Sequence, residues 1–299
     1  MNKLMAIYDG IDSKDTLEDF RTFKTSIDVK NLETGEYIFK GLKNKVIIPG
    51  SAFIADKLFD NCGDGAKIPT YDDKIEGLDK SEGIEYDASN NSAIGTIATS
   101  SNNKILLFCC GTDGCGEINS SVYPVNYQKW IAPENLVPFR FPLNENDISD
   151  TLRETYFGRA SKTLIDANGG EHEHVAYYFK RFEDKPTLHQ QYANGTVVGA
   201  DVYESSNTGA ETFVEIKLVI TKDDIREYFI ATKTIDDARI NSISLCSAYP
   251  VEVDGINKQG NAVKYTYFKN IQPITKLNFP NEQLIDITKG IEIIYHIYM

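Results

Sequence analysis

Residues 212–221 read TFVEIKLVIT, and their apolar and polar positions alternate. Val214, Ile216, Leu218 and Ile220 share one face, while Glu215 and Lys217 share the other. A period of two sends successive side chains to opposite sides of a pleated strand, so this segment predicts a strand half-buried in an antiparallel sheet. Thr221-Lys222-Asp223-Asp224 fits a capping box, which predicts that the strand runs directly into a short helix over 222–231. Further strands are predicted at 175–183, 196–204, 240–253, 263–271 and 291–298. In the last of these, Ile291, Ile293, Tyr295 and Ile297 take one face, and Ile294 and Tyr298 make the other partly apolar. A strand of that kind is expected to be covered on both sides. KILLFCC (104–110) is continuous and apolar, ends at Gly111, and predicts a buried strand.

The first half of the chain is less regular. Residues 12–27 place Leu17, Phe20, Phe23 and Ile27 three and four apart, which predicts an amphipathic helix capped by Asp12 or Ser13. Residues 27–39 predict extended chain around a turn at Glu33-Thr34-Gly35, and a second turn is expected at Pro49-Gly50. Residues 60–104 are rich in Gly, Asp, Asn and Ser and predict long surface loops. LVPFRFPLN (136–144) has two prolines and reads as an extended connector, not a central strand. Residues 146–157 predict a short helix, with Asn146 or Asp147 near its cap and Gly158 at its stop. The fold expected is mainly β: antiparallel sandwich or barrel-like modules with a few short helices and long surface loops. Domain organisation reads as an N-terminal β-rich region, 1–145, and a C-terminal antiparallel module, 146–299, or as a single domain.

Charge narrows the function classes. The 299 residues include 31 Lys+Arg against 44 Asp+Glu, a formal net charge of −13. Such acidity argues against direct nucleic-acid binding, which needs clustered cations on phosphates. No run approaches the ~18 apolar residues of a membrane span. The apolar stretch Leu4–Tyr8 is shorter than the ~7–15 residues of a signal-peptide core, so secretion is not expected. Five cysteines (Cys62, Cys109, Cys110, Cys115 and Cys246) at irregular spacing then read as free thiols.

Candidate chemistry is sparse. His172 and His174, in Gly170-Glu171-His172-Glu173-His174, would share one face of a strand, as paired imidazoles do in some β-rich metal sites. A third ligand would have to come from His189, His296 or a distant carboxylate, and a solvated hairpin start is the favoured reading. Cys109-Cys110-x4-Cys115 lacks the paired hooks of a zinc site, and adjacent Cys109 and Cys110 would point to opposite faces of a strand. Gly111-x-x-Gly114-x-Gly116 opens no helix and so makes no phosphate cradle. Asp87-Ala-Ser89-Asn-Asn91 lacks the glycine and the closing glutamate of a calcium loop. Asp72-Asp73, Asp223-Asp224 and Asp236-Asp237 read as caps and solvated turns. No catalytic, cofactor-binding or metal-binding residue is assigned.

The C-terminal third carries a resemblance. VEIKLVITKDDIR is followed by ARINSISLCSAYPVEVDG, then by the connection Ile271-Gln-Pro273-Ile-Thr-Lys276 and the closing Ile293-Ile-Tyr-His-Ile-Tyr298. Over about residues 212–299 this order resembles the C-terminal β-module of tailed-bacteriophage virion proteins. The resemblance implies a non-enzymatic structural component of the tail, baseplate or neck, made in the host cytoplasm and resident in the virion. Its implied partners are other virion proteins and copies of itself in a symmetric ring or spike, with no membrane contact and no cofactor. Two alternatives stand beside it. One is a receptor- or carbohydrate-binding module using aromatic platforms such as Tyr123, Tyr127 and Trp130; the other is a metal-dependent β-rich enzyme using His172 and His174.

Overall fold

The computed structural model describes residues 25–42, 45–46, 50, 53–54, 71–75, 81–86, 103–111, 115–118, 121–124, 136–141, 149, 152, 154–165, 168–191, 211–232, 240, 242–256, 259–278 and 290–298. In chain order the first strands are β1 (Thr25–Asn31), β2 (Tyr37–Leu42), β3 (Lys45–Val46), β4 (Tyr71–Ile75), β5 (Ser81–Tyr86) and β6 (Lys104–Gly111). There follow β7 (Cys115–Ile118), β8 (Ser121–Pro124), β9 (Leu136–Val137), β10 (Tyr156–Ile165), β11 (Glu171–Arg181), β12 (Thr187–Gln191) and β13 (Glu211–Ile220). The helix α1 (Lys222–Thr232) precedes β14 (Ser242–Ile256), β15 (Ala262–Pro273), β16 (Thr275–Asn278) and β17 (Ile291–Tyr298). The protein is mainly β and its sheets are antiparallel, as the alternation predicts.

Two sheets dominate. The five-stranded sheet runs β12-β13-β17-β1-β2, so the last strand of the chain is central, with β13 on one side and β1 on the other. The ten-stranded sheet follows β10-β11-β6-β14-β15-β4-β5, with β9 added to β6, β16 to β14 and β3 to β16. Cα atoms of β4 and β5 return to within 8 Å of β10, and the sheet nearly closes into a barrel. Both sheets draw strands from before and after residue 145.

Each face of the barrel-like sheet has its own core. Phe108, Cys110, Tyr177, Ile243 and Leu245 pack outward against Ile27, Val29, Ile216, Leu218, Ile293 and Tyr295 of the five-stranded sheet. Leu107, Cys109, Phe157, Tyr178, Phe179, Cys246 and Phe268 form the second cluster, which fills the barrel. There Phe157 of β10 meets Phe268 of β15 edge to face, ring centroids 4.4 Å apart. A strand buried on both faces needs no polar positions, which is why KILLFCC reads as a continuous apolar run.

Several expectations need correction. The helix expected over 12–27 lies outside the described residues up to 24, and Thr25, Ser26 and Ile27 belong to β1. The helix expected over 146–157 lies mostly outside them too; Leu152 is helical, but Tyr156 and Phe157 begin β10. Gly158, expected to stop that helix, sits inside β10 at φ +70°, a left-handed conformation that glycine adopts at little cost. The loops expected at 60–104 contain β4 and β5, because Tyr71 pairs with Ile271 and draws a polar hairpin onto the edge of β15. The connector after residue 136 is extended as expected, but it is sealed in. Leu136 and Val137 pair with β6, Arg140 bridges to Tyr177, and Phe139 and Phe141 are fully buried. The strand expected at 196–204 lies outside the described residues.

Gly290 marks a tight crossing where the chain enters β17. A Cβ there would sit 2.7 Å from the Ile220 carbonyl oxygen and 2.9 Å from Leu32 Cδ2, while the Gly290 carbonyl accepts the Leu32 N–H. The backbone oxygen cannot step aside without breaking the β13–β17 ladder. Gly290→Ala is expected to lose about 1–3 kcal/mol, as overpacked sites do, read as a lower urea midpoint with an unchanged slope.

Candidate functional site

β13 hands over to α1 through the capping box. Asp224, three residues beyond the cap, accepts the backbone N–H of Thr221 on Oδ2 at 2.5 Å, as the sequence predicts. The sequence reading stops at capping; in the fold the same carboxylate is fully buried and does more. Tyr156 Oη donates to Asp224 Oδ1 at 2.5 Å, and Lys180 Nζ donates to Oδ2 at 3.1 Å. Lys180 also donates to the Val219 carbonyl at 2.8 Å and to Glu183 Oε1 at 3.2 Å. An ammonium has three protons to donate, so each is placed. Above them the Arg140 guanidinium carbon lies 5.1 Å from the centre of the Tyr156 ring.

The fold supplies this cluster from four elements. Tyr156 opens β10 and stands opposite Lys180 of β11, so both side chains leave the same face of the sheet. That face looks toward β13 and the start of α1. Burial raises the Tyr156 phenol well above its ordinary value, and the neighbouring Asp224 carboxylate raises it further, so Tyr156 is a fixed donor. Burial opposes the Arg140 charge, but its bond to Tyr156 and the nearby Asp224 and Glu227 outweigh this and raise its pKa. The cluster ends at Glu183, whose neighbours Phe182, Asp184, Lys185 and Arg181 line an open cleft of about 430 Å³.

The sequence-stated candidates fall elsewhere. His172 and His174 do leave β11 on one side, ring centroids 6.4 Å apart. His172 is exposed, but His174 is buried against Phe141 with centroids 5.0 Å apart, so the solvated hairpin holds for only one of them. The possible third ligands His189 and His296 lie on the five-stranded sheet. There His296 Nε2 is 3.2 Å from Glu215 Oε2, His189 Nε2 is 3.9 Å from the same oxygen, and Phe213 packs against both imidazoles. Among the described residues no group of three or more His, Cys, Asp or Glu side chains could hold a metal ion.

Cys109 and Cys110 face opposite clusters, as adjacent strand residues must, and both are free and buried, as is Cys246. Cys246 Sγ approaches Cys109 Sγ to 3.7 Å inside the barrel. Burial pushes the Cys110 and Cys246 thiols up, away from the thiolate that attacks or ligates. Burial also pushes Tyr178 up to about 12. Cys62, Tyr127, Trp130 and the residues 87–91 lie outside the described residues, and of Tyr123 only its place in β8 is described. No helix among the described residues is long and apolar enough to cross a membrane.

Comparison of this chain with family models, curated proteins and solved structures finds no match.

Proposed function

We propose that this chain is a non-enzymatic structural component of a tailed-bacteriophage virion, acting by assembly with other virion proteins and with copies of itself. The observation that carries the reading is where the fold leaves apolar side chains in water. Leu32, Tyr37 and Ile38 are 40%, 47% and 37% exposed, and they are three of the five large apolar residues exposed among those described. All three sit on the β1–β2 hairpin. Isolated exposed apolar residues are ordinary on any surface, but three of the five on one hairpin at the edge of the five-stranded sheet favour a contact at that edge. The hairpin is built to resist indiscriminate pairing. Its register with β1 shifts twice, and Lys30 and Lys40 lie over the Tyr37 ring at 4.8 and 3.7 Å. Bulges and lysines on an edge disfavour open-ended strand addition, so side chains would make the contact. The C-terminal resemblance supplies the virion, and the acidic surface suits a protein that stays off packaged DNA.

The reading is tested with Tyr37→Ser and Ile38→Ser together. Both residues are exposed, so the double variant is expected to keep the wild-type thermal midpoint within a few degrees while its incorporation into particles falls at least tenfold. A folded variant that assembles as the wild type does contradicts the proposal.

A further inference from the structure

The geometry points to a covalent modification: Lys180 and Asp224 condense into an intramolecular amide bond, with Glu183 as proton shuttle, joining β11 to the start of α1. Three features set this pair apart from an ordinary ion pair. Its side chains are 2% and 0% exposed, whereas the surface pair Lys264–Glu252 is 71% and 67% exposed. A buried ammonium–carboxylate pair carries the desolvation cost of two ions, and a neutral amide removes both at once. The two groups are already in contact, Nζ at 3.1 Å from Oδ2, so amine and carboxyl need not be brought together from solution. A second carboxylate stands at the nitrogen, Glu183 Oε1 at 3.2 Å.

The step balances without any further reagent. The Lys180 ammonium passes one proton to Asp224 Oδ2 along their hydrogen bond, giving a neutral amine and a neutral carboxyl. The freed lone pair attacks Asp224 Cγ, forming the C–N bond, and Glu183 takes the second proton from the nitrogen. Tyr156 donates to Oδ1, the oxygen that remains as the amide carbonyl, and so stabilises the negative charge that grows there. The bond from Cγ to Oδ2 then breaks. Two of the three ammonium protons end on that oxygen, one of them relayed by Glu183, and it leaves as water. The third stays on the amide nitrogen and keeps the bond to the Val219 carbonyl, now 2.8 Å from Nζ. Glu183 returns to its carboxylate. Its side chain is 47% exposed and lines the open cleft, which gives the water a way out.

The test is the intact mass of the purified full-length wild-type chain, followed by peptide mapping after trypsin. The expected mass is one water below that of the sequence, and the expected map contains a branched peptide joining Lys180 to Asp224. Glu183→Gln keeps both reacting groups and is expected to cut the cross-linked fraction at least tenfold. A wild-type chain at its sequence mass, with Lys180 and Asp224 on separate linear peptides, overturns the proposal. A Glu183→Gln chain as fully cross-linked as the wild type overturns the role given to Glu183.

Discussion

Removing residues 290–299 is expected to leave a chain that does not fold. β17 is the centre of the five-stranded sheet, and both its edges are taken: Ile291 to Ile297 pair with β1, and Ile291 to Tyr298 pair with β13. Ile291, Ile293, Tyr295 and Ile297 all enter the core between the sheets. Burying four such side chains contributes about 1.5–3 kcal/mol each, against a typical total stability of ~5–15 kcal/mol. Loss of the strand also strips partners from β1 and β13, so the truncated chain is expected in inclusion bodies, without a cooperative thermal transition. Point variants grade the effect. Ile293→Ala is expected to cost about 2–5 kcal/mol. Tyr295→Phe is expected to cost nothing or to stabilise, because the Tyr295 hydroxyl is buried with no hydrogen-bond partner among the described residues. Urea titration of both checks the order; a Tyr295→Phe variant as unstable as Ile293→Ala contradicts this placement of the strand.

The second large effect is expected at the buried charge cluster. Asp224→Ala leaves Lys180 in the core with one carboxylate lost, removes the acceptor of Tyr156 and opens the capping box. Relative to the chain before the proposed amide forms, breaking this buried ion pair from one side costs about 3–5 kcal/mol, and neither this variant nor the next can form the amide. Replacing Lys180 by Met in the same chain strands no charge, so the double variant is expected to be more stable than Asp224→Ala alone. Thermal or denaturant melts of the two decide it, and a double variant less stable than the single one contradicts the stranded-charge account.

How far the fold can be read from the chain depends on how local its causes are. The capping box at Thr221–Asp224 is contained in four residues and is found where the sequence places it. β13 and β17 are legible because one or both faces must be covered, which imposes a pattern on every second residue. β4 and β5 read YDDKI and SEGIEY, too polar to stand out, and they become strands through an edge that β15 offers from far along the chain. At Tyr156 and Phe157 a helical cap and spacing lose to pairing with Lys180 and Phe179, the usual outcome when tertiary partners override local preference.

The candidate site was hidden for the same reason. Lys180 and Asp224 are 44 residues apart, and nothing local joins them. One signal was present. Lys180 stands among Tyr177, Tyr178, Phe179 and Phe182, all buried, and a cation inside such a run needs a buried partner. The spacing of His172 and His174 puts two imidazoles on one side of a strand, but spacing on one strand says nothing about the third element that a metal site requires.

The central claim is that this chain works by being built into a particle. Quantitative mass spectrometry of particles banded from a lysate of cells that produce the chain from its native genome tests it most directly. The account predicts peptides of this chain in the particle band at a fixed ratio to the other particle proteins, retained through repeated banding. Recovery of the chain only from the soluble fraction, with none in the particles, would contradict it.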